Sequence, residues 1–174
     1  MGYYRRYSVV FLWVALIGAA AFAGGPQTKS VVFEKRQGIA AAPSKIFSHI
    51  ADFKEYPRLF PESHNQVTVV SDEKDGKGVV FDNVAVYKSR TVQNRWTVTE
   101  FVRDRVIRMD SDTGGTVIIL LHQIDYDTTE ETVIASVNIQ PKYKDELFAA
   151  FEKEMSALKT ACEQHAAPAD STKR

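Results

Sequence analysis

Between residues 66 and 140 apolar and polar side chains alternate in six runs: 66–71, 79–88, 91–102, 105–111, 116–126 and 132–140. Period-two alternation puts one set of side chains on each face of a strand. Polar stretches separate the runs: Asp75-Gly76-Lys77-Gly78, Lys88-Ser89-Arg90, Arg103-Asp104, Asp112-Thr113-Gly114-Gly115 and the segment 127–131. Strands joined by turns this short form an antiparallel meander. Residues 31–39 add one more strand ahead of it, with Val31, Val32 and Phe33 at its start.

The helical period appears on either side of the meander. Pro43 occupies a first-turn position, where its missing N–H costs nothing, and Ile46, Phe47, Ile50 and Ala51 follow on one face. Asp52 interrupts that face and predicts a cap, with Glu55 three residues on completing a capping box. Pro57 disfavours helix at Tyr56 and Pro61 marks a second stop, so 53–61 is expected as a compact turn. After Pro141, Tyr143, Leu147, Phe151, Met155, Leu158 and Cys162 recur every three or four residues, while Glu146, Lys153, Glu154 and Lys159 largely take other faces. That is one long amphipathic helix with a stripe to bury.

Strand, two short helices, six strands and a long helix make an α+β domain. The closing helix covers the apolar face of a curved seven-stranded antiparallel sheet, and the short helices plug one end. A straight helix cannot touch a strongly curved sheet everywhere, so the arrangement leaves a gap between them.

The N-terminus changes the picture of where this domain works. Arg5 and Arg6 precede an uncharged, mostly apolar run from Val9 to Ala23, and Ala21-Phe22-Ala23 offers a small-x-small cleavage pattern. Residues 1–25 therefore read as a signal peptide or, if uncleaved, as a signal anchor held by Tyr3, Tyr4 and Tyr7 at the interface. Either way the domain at 31–165 is expected outside the cytoplasm, secreted or periplasmic if cleaved and membrane-anchored if not. Residues 26–30 form a linker, and 166–174 are expected as a disordered tail.

Composition removes several functions. The 22 basic and 22 acidic residues are interspersed, which denies the clustered positive field that nucleic-acid binding needs. Cys162 is the single cysteine, so no intramolecular disulfide supports the fold, and its place in the stripe makes it a small core residue. His49, His64, His122 and His165 lack metal-ligand spacing, and no nucleophile elbow, P-loop or dinucleotide fingerprint occurs. No cofactor is expected. The carboxylates fall mostly in turns or on polar faces, and no acid–base pair stands out.

The segment Ile50-Ala51-Asp52-Phe53-Lys54-Glu55-Tyr56-Pro57-Arg58-Leu59-Phe60-Pro61, set in that element order, resembles the START-like superfamily of polyketide cyclases, dehydrases and lipid transporters. It looks closest to the coenzyme Q-binding branch. The resemblance covers roughly 31–165 and implies a helix-grip fold with a hydrophobic cavity for a lipid, quinone, sterol or polyketide. The candidate ligand-binding residues are Phe47, Tyr56 and Phe60 near the short helices, Phe151 and Met155 on the closing helix, and Asn83, His122 and Asn138 in strands. The three polar strand residues are candidates to orient a ligand's polar head, with Leu120 and Ile124 sharing the face of His122. The leading expectation is non-enzymatic binding or transport of a small hydrophobic molecule. The alternatives are a cyclase or aromatase using Tyr56, His122 or Asn138, and a structural module whose core is filled.

Overall fold

The computed structural model describes residues 29–87 and 90–164. The expected export segment and the tail fall outside the described residues. Strand β1 (Lys29–Ile39) leads into helix α1 (Pro43–Ile50), a 3-10 turn (Phe53–Glu55) and the single-turn helix α2 (Tyr56–Leu59). The meander follows as β2 (Gln66–Val69), β3 (Val80–Tyr87), β4 (Arg90–Val102), β5 (Val106–Ser111), β6 (Thr116–Gln123) and β7 (Thr129–Ile139). A 3-10 turn (Pro141–Tyr143) then opens α3 (Lys144–Glu163).

The seven strands form one sheet in the order β1-β7-β6-β5-β4-β3-β2, and every neighbouring pair is antiparallel. All pairings but one are hairpins. The exception lays β1 along β7, from Lys29 opposite Ile139 to Ile39 opposite Thr129, and so joins the start of the domain to its end. The register of β4 on β5 slips between Val98 and Glu100. A bulge of this kind bends its strand and increases local twist, which helps the sheet curve around α3.

Burial follows the alternation. Val117, Ile119 and Leu121 of β6 are buried, and Ile118 and Leu120 between them are not. Ile46, Phe47 and Ile50 give α1 its buried face. Met155, Leu158 and Cys162 bury the C-terminal half of the α3 stripe, while Leu147 and Phe151 keep partial exposure. Tyr56 Oη donates to the carbonyl of Ile50 at 2.7 Å, and its ring meets Phe53, Phe60 and Phe81 edge-on. Phe53 stacks on Phe81 with centroids 4.8 Å apart.

Several boundaries differ from the sequence reading. Lys29 and Ser30, expected in the linker, pair with Ile139 and Asn138. Tyr56 is helical, with φ −54° and ψ −42°, despite the proline after it; its buried ring contacts and hydrogen bond outweigh a local preference. Asp52 caps as expected, accepting from the Lys54 N–H at 3.2 Å, but Glu55 turns away from a capping box and pairs with Arg58. The largest shift concerns the last hairpin. Its turn spans 124–128, closed by the Ile124 N–H on the Thr128 carbonyl, so Thr129, Glu130 and Glu131 belong to β7 rather than to a turn. Thr129 is fully buried, and its hydroxyl donates to the Ala41 carbonyl at 2.7 Å.

Phe53 is 2% exposed and packed on every side, so Phe53→Ala should lower unfolding stability by about 3–5 kcal/mol. Val32→Ala, on the open side of β1, should stay within about 0.5 kcal/mol. Urea midpoints of the two variants measure the contrast.

Candidate functional site

A cavity of about 440 Å³ lies between α3 and the concave face of the sheet. Its walls are mainly apolar: Phe81, Met109, Val117, Ile119 and Val133 from the sheet, and Leu147, Ala150, Phe151, Met155 and Leu158 from α3. Ile50, Tyr56 and Phe60 close the end under α1 and α2. Small-molecule pockets have this size and this apolar character, with a few placed polar groups.

Of the residues singled out from sequence, Tyr56, Phe60, Asn83, Asn138, Phe151 and Met155 line the cavity. Phe151 also stacks on Phe33 at 5.1 Å, so its ring is part wall and part core. Asn138 is exposed and stands at the rim. It lies so close to the β5–β6 turn that a Cβ on Gly114 would come within 3.1 Å of its Nδ2. Gly114 also holds φ at +82°, a region that favours glycine. Two placements need correction. Phe47 is buried but outside the cavity, because α1 turns its ring onto Phe101, edge-on at 5.0 Å. His122 is exposed on the outer face, because β6 turns Val117, Ile119 and Leu121 inward and its even-numbered residues outward.

The polar groups that do face the cavity come mostly from positions the sequence pattern did not flag. Glu131 is 1% exposed and accepts from Gln37 Nε2 at 2.6 Å. The same Gln37 nitrogen donates to the Met155 carbonyl at 2.7 Å, tying β1 and β7 to the middle of α3. Burial pushes the Glu131 carboxyl up to about 7, against the hydrogen bond from Gln37. Glu154 of α3 is also raised to about 7, chiefly by burial and further by the charge of Glu131, with Ser63 opposing. Ser63 Oγ is buried and makes no hydrogen bond of normal geometry. Trp96 Nε1, also in the lining, is a second buried donor without a partner.

His64 sits beside Glu154, its Nε2 3.9 Å from Glu154 Oε1. The Asn83 amide nitrogen donates to the Ser63 carbonyl and to Asn94 Oδ1, which leaves Asn83 Oδ1 to accept from His64 Nδ1 at 2.8 Å. The proton is thus assigned to Nδ1 and the lone pair to Nε2. Burial lowers the His64 pKa to about 4 against that hydrogen bond, so the ring is neutral at pH 7 and makes no ion pair with Glu154. Burial, followed by the nearby charges of Glu154, Glu131 and Asp52, raises the Tyr56 hydroxyl far above its usual range. Burial likewise pushes the Cys162 thiol up to about 11, which removes it as a nucleophile at neutral pH. Among the described residues no three His, Cys, Asp or Glu side chains converge on a metal-sized point.

Sequence signals for the missed groups exist. Glu131 lies two and four residues before Val133 and Ala135, on the inward face of β7. Glu154 lies four after Ala150 and four before Leu158, inside the stripe rather than beside it. His64, in the loop after Pro61, follows no period. The expectation that no acid–base pair stands out is therefore corrected: Glu131, Glu154 and a neutral histidine share one cavity.

A curved antiparallel sheet gripping a long C-terminal helix over an apolar cavity defines a helix-grip domain of the START-like class. The family model described as "Polyketide cyclase / dehydrase and lipid transport" matches residues 30–167, and the chain belongs to that family. The match is to the broad family and does not single out a coenzyme Q branch. No curated protein matches the chain by sequence. Among solved structures, a START superfamily protein from Mycobacterium smegmatis aligns at TM-score 0.66 and 18% identity, covering 78% of this chain and 99% of that one. Norcoclaurine synthase from Thalictrum flavum, in complex with dopamine and hydroxybenzaldehyde, aligns at 0.63 and 11%, covering 94% and 100%. The di-domain ARO/CYC StfQ from the steffimycin biosynthetic pathway aligns at 0.67 and 13%, covering 79% of this chain and 52% of that one. At these identities the likeness speaks for the fold alone.

The carboxyls make stability depend on pH with a definite sign. Glu154 has a folded pKa of about 7 against an ordinary 4.5. Below 4.5 it is protonated in both states; above 7 it is charged in both, and the folded state bears the desolvation. Its effect on wild-type stability therefore turns unfavourable as pH rises from 4.5 to 7 and is constant beyond. Glu154→Gln, which stays neutral, should be more stable than wild type by about 1–3 kcal/mol at pH 8. The difference should vanish by pH 4.5, as denaturant melts at the two pH values would show.

Proposed function

We propose that this domain binds and carries a small, mainly apolar molecule in its internal cavity without transforming it, and that it does so outside the cytoplasmic membrane. The single observation that carries the binding reading is the 440 Å³ space between α3 and the sheet. Native interiors are close-packed, so a void of this size is not leftover packing space. The family's name, with its lipid-transport and cyclase members, supports the same reading. Ala150 is the smallest side chain that α3 presents to the space. Ala150→Trp should abolish uptake of an apolar fluorescent probe and leave the unfolding midpoint nearly unchanged. In a solid core the same change would overpack and cost about 1–3 kcal/mol. Such a loss, together with no probe uptake by the wild type, would return the domain to a structural role.

A second reading has its own observation. Glu131 and Glu154 titrate near neutrality beside a neutral imidazole, and groups poised this way suit proton transfer. The cyclase-type reading is separated from the carrier reading by native mass spectrometry of the purified protein. An intact ligand retained at one equivalent supports the carrier; conversion of that ligand on incubation supports the enzyme.

The reading of the location is supported by the charged start and apolar run of residues 1–25. N-terminal sequencing of protein expressed from the full chain should find Gly24 first, in a soluble product. An intact Met1 on material that needs detergent would identify an anchor instead.

A further inference from the structure

We propose that the polar end of the cavity, where Glu131 and Glu154 meet the buried Ser63 hydroxyl, is a seat for an ammonium group, so that the carried molecule is an apolar amine and not an anionic lipid. This rests on the cavity being a binding site and names what it binds.

Charge comes first. Two carboxyls line one cavity, and the charge of Glu131 raises the pKa of Glu154. Neither has a lysine or arginine partner among the described residues, and no cation contributes to the environment of either. The lysines nearest in the fold are directed elsewhere: Lys153 to Glu62, Lys35 to Glu152, Lys159 to Glu163 and the Gly38 carbonyl, and Lys45 to the Cys162 carbonyl. The other groups facing the pair are uncharged at neutral pH: Gln37 from β1, Tyr56 from α2 and His64 from the following loop. Glu131 is 1% exposed and the Glu154 side chain 22%; a carboxylate so far withdrawn from water without a counter-ion is costly, and an organic cation in the cavity would supply the partner.

Hydrogen bonding points the same way. Ser63 is 4% exposed and lines the cavity; its hydroxyl lies close enough to Glu154 to lower that carboxyl's pKa but makes no hydrogen bond of normal geometry, and the oxygen keeps its lone pairs to accept. With the Glu131 and Glu154 carboxylates it makes three acceptors, and His64 Nε2 a fourth. An ammonium has three donors and no acceptor, which matches this set. A carboxylate or phosphate head would instead bring a further anion against the glutamates.

The test uses the full-length protein and three eight-carbon probes, octylamine, 1-octanol and octanoate, titrated calorimetrically at pH 6 and pH 8. An alkylamine is protonated at both, since aliphatic ammonium groups titrate at about 10. Octylamine should bind about tenfold tighter at pH 8, as a carboxyl with pKa near 7 goes from mostly neutral to mostly charged. Octanol should show no such change, and octanoate should bind more weakly than octanol at both values. Glu154→Gln should weaken octylamine binding at pH 8 and reduce its pH dependence, leaving only the part carried by Glu131; Glu131→Gln, which keeps an acceptor for Gln37, provides a second test if the first variant does not fold. Octylamine binding that is flat with pH and no tighter than octanol would overturn the ammonium seat while leaving the cavity reading intact. No heat from any of the three, with no probe uptake, would overturn both.

Discussion

A straight helix cannot follow a surface that curves away beneath it, and the interior of this domain is organised by that mismatch. Helix α3 has 20 residues and so runs about 30 Å. Its main contacts are with β1 along one side and with α1 and α2. Between those supports the sheet stands off, and the side chains of the central strands do not reach across. The bulge after Val98 and the long antiparallel run from β2 to β7 set the curvature, and the β1–β7 pairing completes the sheet behind the helix. Gln37 then holds the gap at one point. A single amide nitrogen bonds both the Glu131 carboxylate and the Met155 carbonyl, so the sheet and the helix are pinned across a space they cannot fill.

The contents of that space are not those of an ordinary core. Apolar walls would be satisfied by any greasy molecule. Two acidic side chains, an imidazole and a hydroxyl gathered at one end give the interior a direction, with an apolar length and a polar terminus. The aromatic cluster of Phe53, Tyr56, Phe60 and Phe81 backs this polar end. Low polarizability around the carboxyls raises their pKa values and also strengthens whatever partner they find, since the same poor screening acts on both.

The architecture was legible from residues 31 onward because it depends on periodicity. Alternation in 116–121 and the three-and-four spacing of Leu147, Phe151, Met155, Leu158 and Cys162 are repeated signals; burial follows the first throughout and the second from Met155 on. The apolar walls of the site followed from the same stripe. The polar end did not, because a buried charge looks, in sequence, like an exposed one. Thr129, Glu130 and Glu131 have the composition of a turn; two of the three are buried in a strand, where β1 on one side and α3 above enclose them. Glu154 was read as surface although it falls within the stripe. His122 was drawn inward by its apolar neighbours Leu120 and Ile124, but on β6 those residues face outward with it. Phe47 was correctly expected to be buried, yet sequence has no means of saying that its ring meets Phe101 rather than the void.

Cys162 has had no part in the site, but its position makes it a witness to it. The thiol is fully buried near the C-terminal end of α3, and its own carbonyl is held by Lys45 of α1. Solvent reaches that sulfur only when the end of the helix lifts from the helix beneath it. Helix α3 meets the sheet through side chains, Gln37 on the Met155 carbonyl and Glu163 on the Ala40 N–H among them, whereas every strand is laced to its neighbours by backbone hydrogen bonds. Reaction at the lone sulfur therefore keeps time with the opening of the helix: each modified molecule records one occasion on which the grip was released.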